Sequence, residues 1–345
     1  MKLLCTLLET PGPYNFSMAA LPDQTVPAVV DLRQIQPDDI DPLLEEEIGV
    51  WQESLNWDFR PSADLVRRFV RMQALGGYGL VSSDRVIGYC YYVCEDNKGL
   101  VGDLYVSPRV LGPLARGDFE SRLLRTTIGA LMATPGVHRV ESQLLMMSPE
   151  GRKRMPFPAR LECFPRKFMT GPLAGAPGWP SGEAPRFVDI LPWHERDQEQ
   201  AARLIAKAYR GHIDSRINDQ YDSVSGARHF LQNIVQYPGC GSFFQPGSFA
   251  AVERRSGKLA GLALASLVAY NVGHITQLCV DPPFLGRGVG YELLRRCLCA
   301  MASGGCQTAS LTVTSANESA VRLYERLGFS VLREFEAFVW SGIGG

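Results

Sequence analysis

A chain of 345 residues is long for a single hydrophobic core and predicts two domains of ordinary size. Its 35 Lys and Arg nearly balance 36 Asp and Glu, for a formal net charge of -1, so it lacks the basic field that a nucleic-acid partner requires. Nine cysteines, an odd number scattered through apolar runs, fit reduced thiols in a cytoplasmic protein and show no zinc-site spacing.

Residues 1–27 open on a short apolar stretch that Glu9 interrupts. It is too short for a signal or membrane segment and reads as a disordered tail. Residues 28–170 form the first predicted domain, with a helical stretch at 42–51 and apolar strands at 78–82 and 86–93. An alternating segment at 99–108 and a helix-period segment at 119–132 follow. The next segment, 148–158, contains Pro149, Pro156 and Pro158 and fits a helix poorly. Residues 171–185 carry proline and glycine at a density that predicts a linker. Residues 186–345 then repeat the order: a helix at 198–209, strands at 248–252, 259–266 and 275–280, a helix from 289, a strand at 309–313, and a helix ended by Gly328.

The two halves can be superposed as sequences. Gly99, Leu104, Val106 and Pro108 coincide with Gly273, Leu278, Val280 and Pro282, an offset of 273 - 99 = 174. Shared motif and shared element order predict a tandem repeat.

In the second half, the run Leu285, Gly286, Arg287, Gly288, Val289, Gly290 joins a strand to a helix that begins near Tyr291. A glycine-rich turn at a helix N-terminus offers free backbone N–H groups to an anion such as phosphate. Neither a P-loop nor a dinucleotide fingerprint fits. The Gly-Lys-Ser/Thr ending is missing, Tyr291 occupies the third fingerprint glycine, and no acid stands near 310. Downstream, Ser315 and Glu318 have capping-box spacing, and Ala320, Leu323, Tyr324 and Leu327 share one helical face.

With both pieces in place, residues 186–340 resemble the GNAT superfamily of N-acetyltransferases. Gly286-Arg-Gly-Val-Gly290 matches its cofactor loop, and Asn317, Ala320, Leu323, Tyr324, Gly328 and Phe329 match its last helix. The tandem layout with one intact copy is also similar to that of mycothiol synthases. The resemblance implies an α/β (α+β) fold: two tandem domains, each a central mixed sheet flanked by helices. It implies acetyl-CoA as co-substrate, no metal, and direct attack by the amine of a small molecule or peptide, with neither nucleic acid nor membrane as partner. The backbone of Leu278, Cys279 and Val280 would pair with the pantetheine arm, residues 285–291 would hold the pyrophosphate, and Asn317 would support the cofactor. Tyr324 would protonate the leaving thiolate. The family often places a glutamate six residues before the last valine of the motif strand; here that position is His274, a candidate base. Leu285 replaces the glutamine or arginine that usually opens the loop.

The acceptor is expected to meet the loop 210–222, where His212, Asp214, Asp219 and Tyr221 offer polar contacts. In the first half, Pro113 removes an N–H from the matching loop, the glycine spacing is broken, and Asp118 would repel phosphate. That half therefore reads as a degenerate copy. A non-catalytic acyl-CoA-binding module is the alternative to an enzyme.

Overall fold

The apolar runs of both halves join one 13-stranded sheet. The structure is a computed structural model and describes residues 26–342 apart from 96, 110, 111, 183 and 238, so the expected tail lies almost wholly outside the described residues. The first half runs β1 (Ala28–Asp31), α1 (Pro37–Leu55), α2 (Arg60–Arg71), β2 (Gly76–Ser82), β3 (Arg85–Glu95), β4 (Lys98–Val106), α3 (Pro113–Met132), β5 (Arg139–Gln143), α4 (Pro149–Arg152) and β6 (Leu161–Pro172). The second runs β7 (Val188–Pro192), α5 (Gln198–Ala208), α6 (Ile213–Ile217), α7 (Val224–Gln236), β8 (Ser242–Phe243), β9 (Phe249–Glu253), β10 (Leu259–Ala269), β11 (Val272–Val280), α8 (Val289–Ser303), β12 (Thr308–Thr314), α9 (Glu318–Arg326) and β13 (Ser330–Ser341).

Sequence periodicity explains the helices. In α8, Val289, Leu293, Leu294, Cys297, Leu298 and Met301 form the buried stripe that packs on the sheet. In α1, Ile40, Leu43, Leu44 and Glu47 share the buried face, so the stripe carries one carboxyl into the core. Pro37 starts α1 at a position that needs no N–H, and Asn56 closes it in the left-handed conformation.

The strand order is β1-β2-β3-β4-β5-β13-β6-β12-β11-β10-β9-β7. Two strands are exchanged between the halves: β13 lies between β5 and β6, and β6 lies between β13 and β12. The segment expected as a linker is anchored to the core at several points. Leu173, Ala176 and Ala184 are buried, the Leu173 N–H donates to the Gln307 carbonyl at 2.9 Å, and the Tyr291 hydroxyl donates to the Pro180 carbonyl at 2.9 Å.

Each half opens a gap at the same place in its sheet. β4 and β5 pair in parallel only over Lys98–Val101, and β11 and β12 only over Val272–Ile275, an offset of 272 - 98 = 174 again. The register of β3 on β4 slips at Gly102, and that of β10 on β11 slips at Thr276, the matching position. A bulge adds a residue and increases local twist, which turns the motif strand away from its parallel neighbour. Beyond Ile275, β11 therefore has no ladder partner on its β12 side.

Candidate functional site

The loop 285–290 closes the open end of this gap. Gly286 and Gly288 have φ of 72° and 79°, the left-handed region that costs other residues about 1–2 kcal/mol. Gly288 is the N-cap of α8 and supplies no side-chain acceptor. The first N–H groups of α8 have no intrahelical acceptor either, so the loop and helix start could hold an anion, as a candidate cradle. A β-carbon on Gly290 would stand 3.4 Å from Val280 and 4.0 Å from Leu323, in contact with the strand and the helix that border the gap.

Not every residue of the motif faces the cradle. Leu285 is 63% exposed and holds nothing. The Arg287 guanidinium stacks on Phe187 at 4.0 Å, and Tyr291 is tied to Pro180. These side chains hold neighbouring segments; the Leu285 and Arg287 N–H groups donate to the Pro282 and Phe284 carbonyls at 3.2 and 3.4 Å, which leaves those of Gly286 and Gly288 for an anion. Cys279 is buried, and burial pushes its thiol up to about 12, so it is chemically quiet.

The second border is α9. Its N-cap is Asn317 and not the expected Ser315: Asn317 Oδ1 accepts from the Ala320 N–H at 3.3 Å, while the Ser315 N–H donates to the Pro165 carbonyl at 2.8 Å. β6 thus takes up the residue that the capping-box spacing pointed to. Tyr324, about two turns further along α9, is buried, and its hydroxyl is pushed above its ordinary range by burial and then by Asp214, with Arg166 opposing. It stays protonated at neutral pH.

The acceptor loop divides in two. His212 caps α6, its Nδ1 accepting from the Asp214 N–H at 3.2 Å, and its Nε2 lies 3.4 Å from Asn317 Nδ2. Asp214 accepts from the Thr314 hydroxyl on β12. These two side chains therefore gather beside Asn317 and Tyr324. Asp219 instead accepts from Lys98, and its N–H donates to Glu141 at 3.1 Å, an ion cluster that fastens the loop to the first half. Tyr221 is stacked on Tyr209 at 4.3 Å as part of the wall.

His274 is enclosed. Its Nδ1 lies 2.9 Å from Ser310 Oγ, and its ring packs against Trp57 at 5.1 Å and Phe168 at 6.2 Å. Burial pulls its pKa down to about 4. The reading of His274 as a base relied on a ring that titrates near neutrality. This ring is neutral there, and its conjugate acid is too strong to retain a proton from an amine.

Sequence reasoning missed two contributions from the first half. Trp57, just past α1, covers His274, and Arg166 on β6 reaches the same face through Thr312 Oγ1 at 3.4 Å. The available signal was a charged residue between Phe164 and Phe168, at the inward positions of an apolar strand.

The matching gap in the first half is bordered differently. α3 starts from Gly112 in an extended conformation with Pro113 next, and α4 packs directly on α3: a β-carbon on Gly117 would come within 2.7 Å of Glu150. The buried Glu120 carboxylate holds this contact by accepting from the Ser148 N–H and hydroxyl. Asp118 is turned outward and pairs with Arg154 at 2.6 Å. Inside, the Tyr89 hydroxyl donates to Glu47 at 2.7 Å, beside Asp103 at 3.3 Å. Burial raises both carboxyls, Asp103 to about 6. Among the described residues no cluster of three potential metal ligands occurs, and no helix is long and apolar enough to cross a membrane.

The profile of the "Acetyltransferase (GNAT) family" matches residues 215–329. A mycothiol acetyltransferase of Thermobispora bispora is 30% identical over 263 residues, covering 73% of this chain and 79% of that protein. Other curated relatives are matched over about a third of their own length, 33% and 37%. Among solved structures, a GCN5-related N-acetyltransferase from Sphaerobacter thermophilus has a TM-score of 0.65 at 20% identity, covering 94% of this chain and 98% of that one. A tandem GNAT protein from the clavulanic acid biosynthesis pathway has a TM-score of 0.58 at 15% identity, covering 92% and 99%.

Proposed function

Because this chain belongs to the GNAT acetyltransferase family, we propose that its second half moves an acetyl group from acetyl-CoA directly to the amine of a small molecule or peptide. The observation that carries this reading is the left-handed Gly286 and Gly288 at the start of α8, set against the unpaired edge of β11 and the Asn317–Tyr324 helix. The loop amides take the pyrophosphate, and the free edge of Leu278, Cys279 and Val280 takes the amides of the pantetheine arm. Donors fixed along that edge polarise the thioester carbonyl as negative charge develops on its oxygen.

The chemistry balances without a covalent enzyme intermediate. The neutral amine nitrogen bonds to the carbonyl carbon, the C–S bond breaks, and the amine's proton leaves to water. Tyr324 keeps its proton at working pH and donates a hydrogen bond to the sulfur as charge develops there. His274 remains neutral and shapes the wall. Asp214 and His212, which stand beside Asn317 and Tyr324, receive the amine and the water that removes its proton. Deprotonation costs roughly 1 kcal/mol for an α-amine of pKa near 8 and about 4–5 kcal/mol for a lysine-like amine, so α-amines are favoured.

Thiol release from acetyl-CoA with a panel of amines tests the reading. Acceptor-dependent release that disappears with Gly288→Val supports it. Tight coenzyme A binding with no acceptor-dependent release across the panel would make the chain a non-catalytic acyl-CoA-binding module.

A further inference from the structure

Arg166 has an unusual set of neighbours. It belongs to β6, the first-half strand inserted beside β12, where its register partner is Thr314. Its guanidinium donates to Gln143 Oε1 at 2.7 Å and to Thr312 Oγ1 at 3.4 Å and lies over the Phe335 ring at 6.0 Å. All three partners are neutral. Its Nε–H is buried and has no acceptor. Among the described residues no carboxylate lies within ion-pair distance of it, whereas the nearby Arg139 and Arg216 pair with Glu141 and Glu162.

The missing counter-charge lies close by but is not paired with it. Asp214 is bound to the Thr314 hydroxyl, so the arginine and the aspartate flank one threonine without forming an ion pair. The same two charges act, with opposite sign, on the hydroxyls of Tyr324 and Tyr221. The arrangement is therefore a cation and an anion held apart, walled by tyrosines, next to the group expected at the leaving sulfur. A ligand that carries both charges would satisfy both.

We propose that Arg166 binds the carboxylate of the acceptor, and that the acceptor is an amino acid whose ammonium group docks on Asp214 before it loses its proton. This rests on the acetyltransferase reading above and narrows its acceptor class. The unsatisfied Nε–H together with one Nη–H makes the two-pronged donor that a carboxylate fits. It also gives the first half a part in recognition, since Arg166 lies on a first-half strand.

The test compares, on the full chain, thiol release from acetyl-CoA with free amino acids and with the corresponding amino acid amides, which keep the amine and lose the charge. With rates referred to the unprotonated amine, which is the larger fraction in the amides, the expected kcat/KM favours the free acid by at least about tenfold. Arg166→Gln is expected to remove that preference, lowering kcat/KM for the acids about tenfold or more through KM and leaving the amides within about threefold. Arg166→Lys keeps the charge and is expected to retain part of the preference, which covers the case in which the glutamine variant folds poorly. Amides acetylated as well as acids by the native protein, or an equal loss for both in Arg166→Gln with an unchanged ratio in Arg166→Lys, would overturn the assignment and leave acetyl transfer standing. No release with any acceptor counts against both readings.

Discussion

The two gaps in the sheet share their cause and differ in their borders. In both halves a bulge at the matching residue, Gly102 or Thr276, ends the parallel pairing after four residues. In the second half the open end meets two left-handed glycines and a helix start without a side-chain cap. In the first half it meets Pro113, and α4 is pressed onto α3 at Gly117. Two buried carboxyls, Glu47 and Asp103, stand inside that first gap, and the residue matching Asp103 in the second is the neutral Gln277. The bulge rests on strand pairing and core packing, which the two halves share, whereas the loop that borders it depends on a few residues, which they do not.

The comparison breaks most readily at Tyr324. Tyr324→Phe removes the donor proposed to face the sulfur and is expected to lower kcat about 10²-fold, with KM for acetyl-CoA changed less than about threefold. Steady-state thiol release measures this. An unchanged kcat would remove the tyrosine from the chemistry.

The buried ionisable groups give opposite pH dependences. Asp103 binds its proton more tightly when folded, with a pKa of about 6, so its contribution lowers stability as pH rises from about 4 to about 6. Asp103→Asn is expected to raise stability at pH 7.5 by about 1–3 kcal/mol and to change it little at pH 4. His274 releases its proton more easily when folded, at about 4 against the ordinary 6.5, so its contribution is complete above pH 6.5 and falls away as pH drops toward 4. His274→Gln should flatten that acid-side loss. Urea melts of both variants between pH 4 and 7.5 separate the two. A flat profile for native protein and both variants would mean that neither group is buried as described.

The smallest expected effect is at Leu285, exposed at the head of the loop. Leu285→Arg adds a cation beside the cradle and should tighten coenzyme A binding about two- to fivefold at low salt, with the gain lost at high salt.

Much of this was legible in the sequence. The offset of 174 located the repeat, and the same offset relates the paired registers and the bulges. Glycine at 286 and 288 is readable because only glycine adopts φ near 72° and 79° without strain. The helix carrying Tyr324 was readable from its stripe, whereas its cap was not: Asn317 displaces Ser315 because the backbone of Ser315 is claimed by Pro165 across the sheet. The position of Arg166 was hidden for a similar reason. No local pattern says that β6 crosses into the other half's sheet, since strand exchange is decided by pairing between segments more than a hundred residues apart. The environment of His274 was also out of reach, because Trp57 and Phe168, which desolvate it, come from the other half.

The central claim is that one of two similar gaps holds the acyl donor. Calorimetric titration of the full chain with coenzyme A tests it most directly. The account predicts one equivalent bound, abolished by Gly288→Val and unaffected by Gly112→Val at the matching helix start. Two equivalents, or one that survives Gly288→Val and is lost with Gly112→Val, would contradict it.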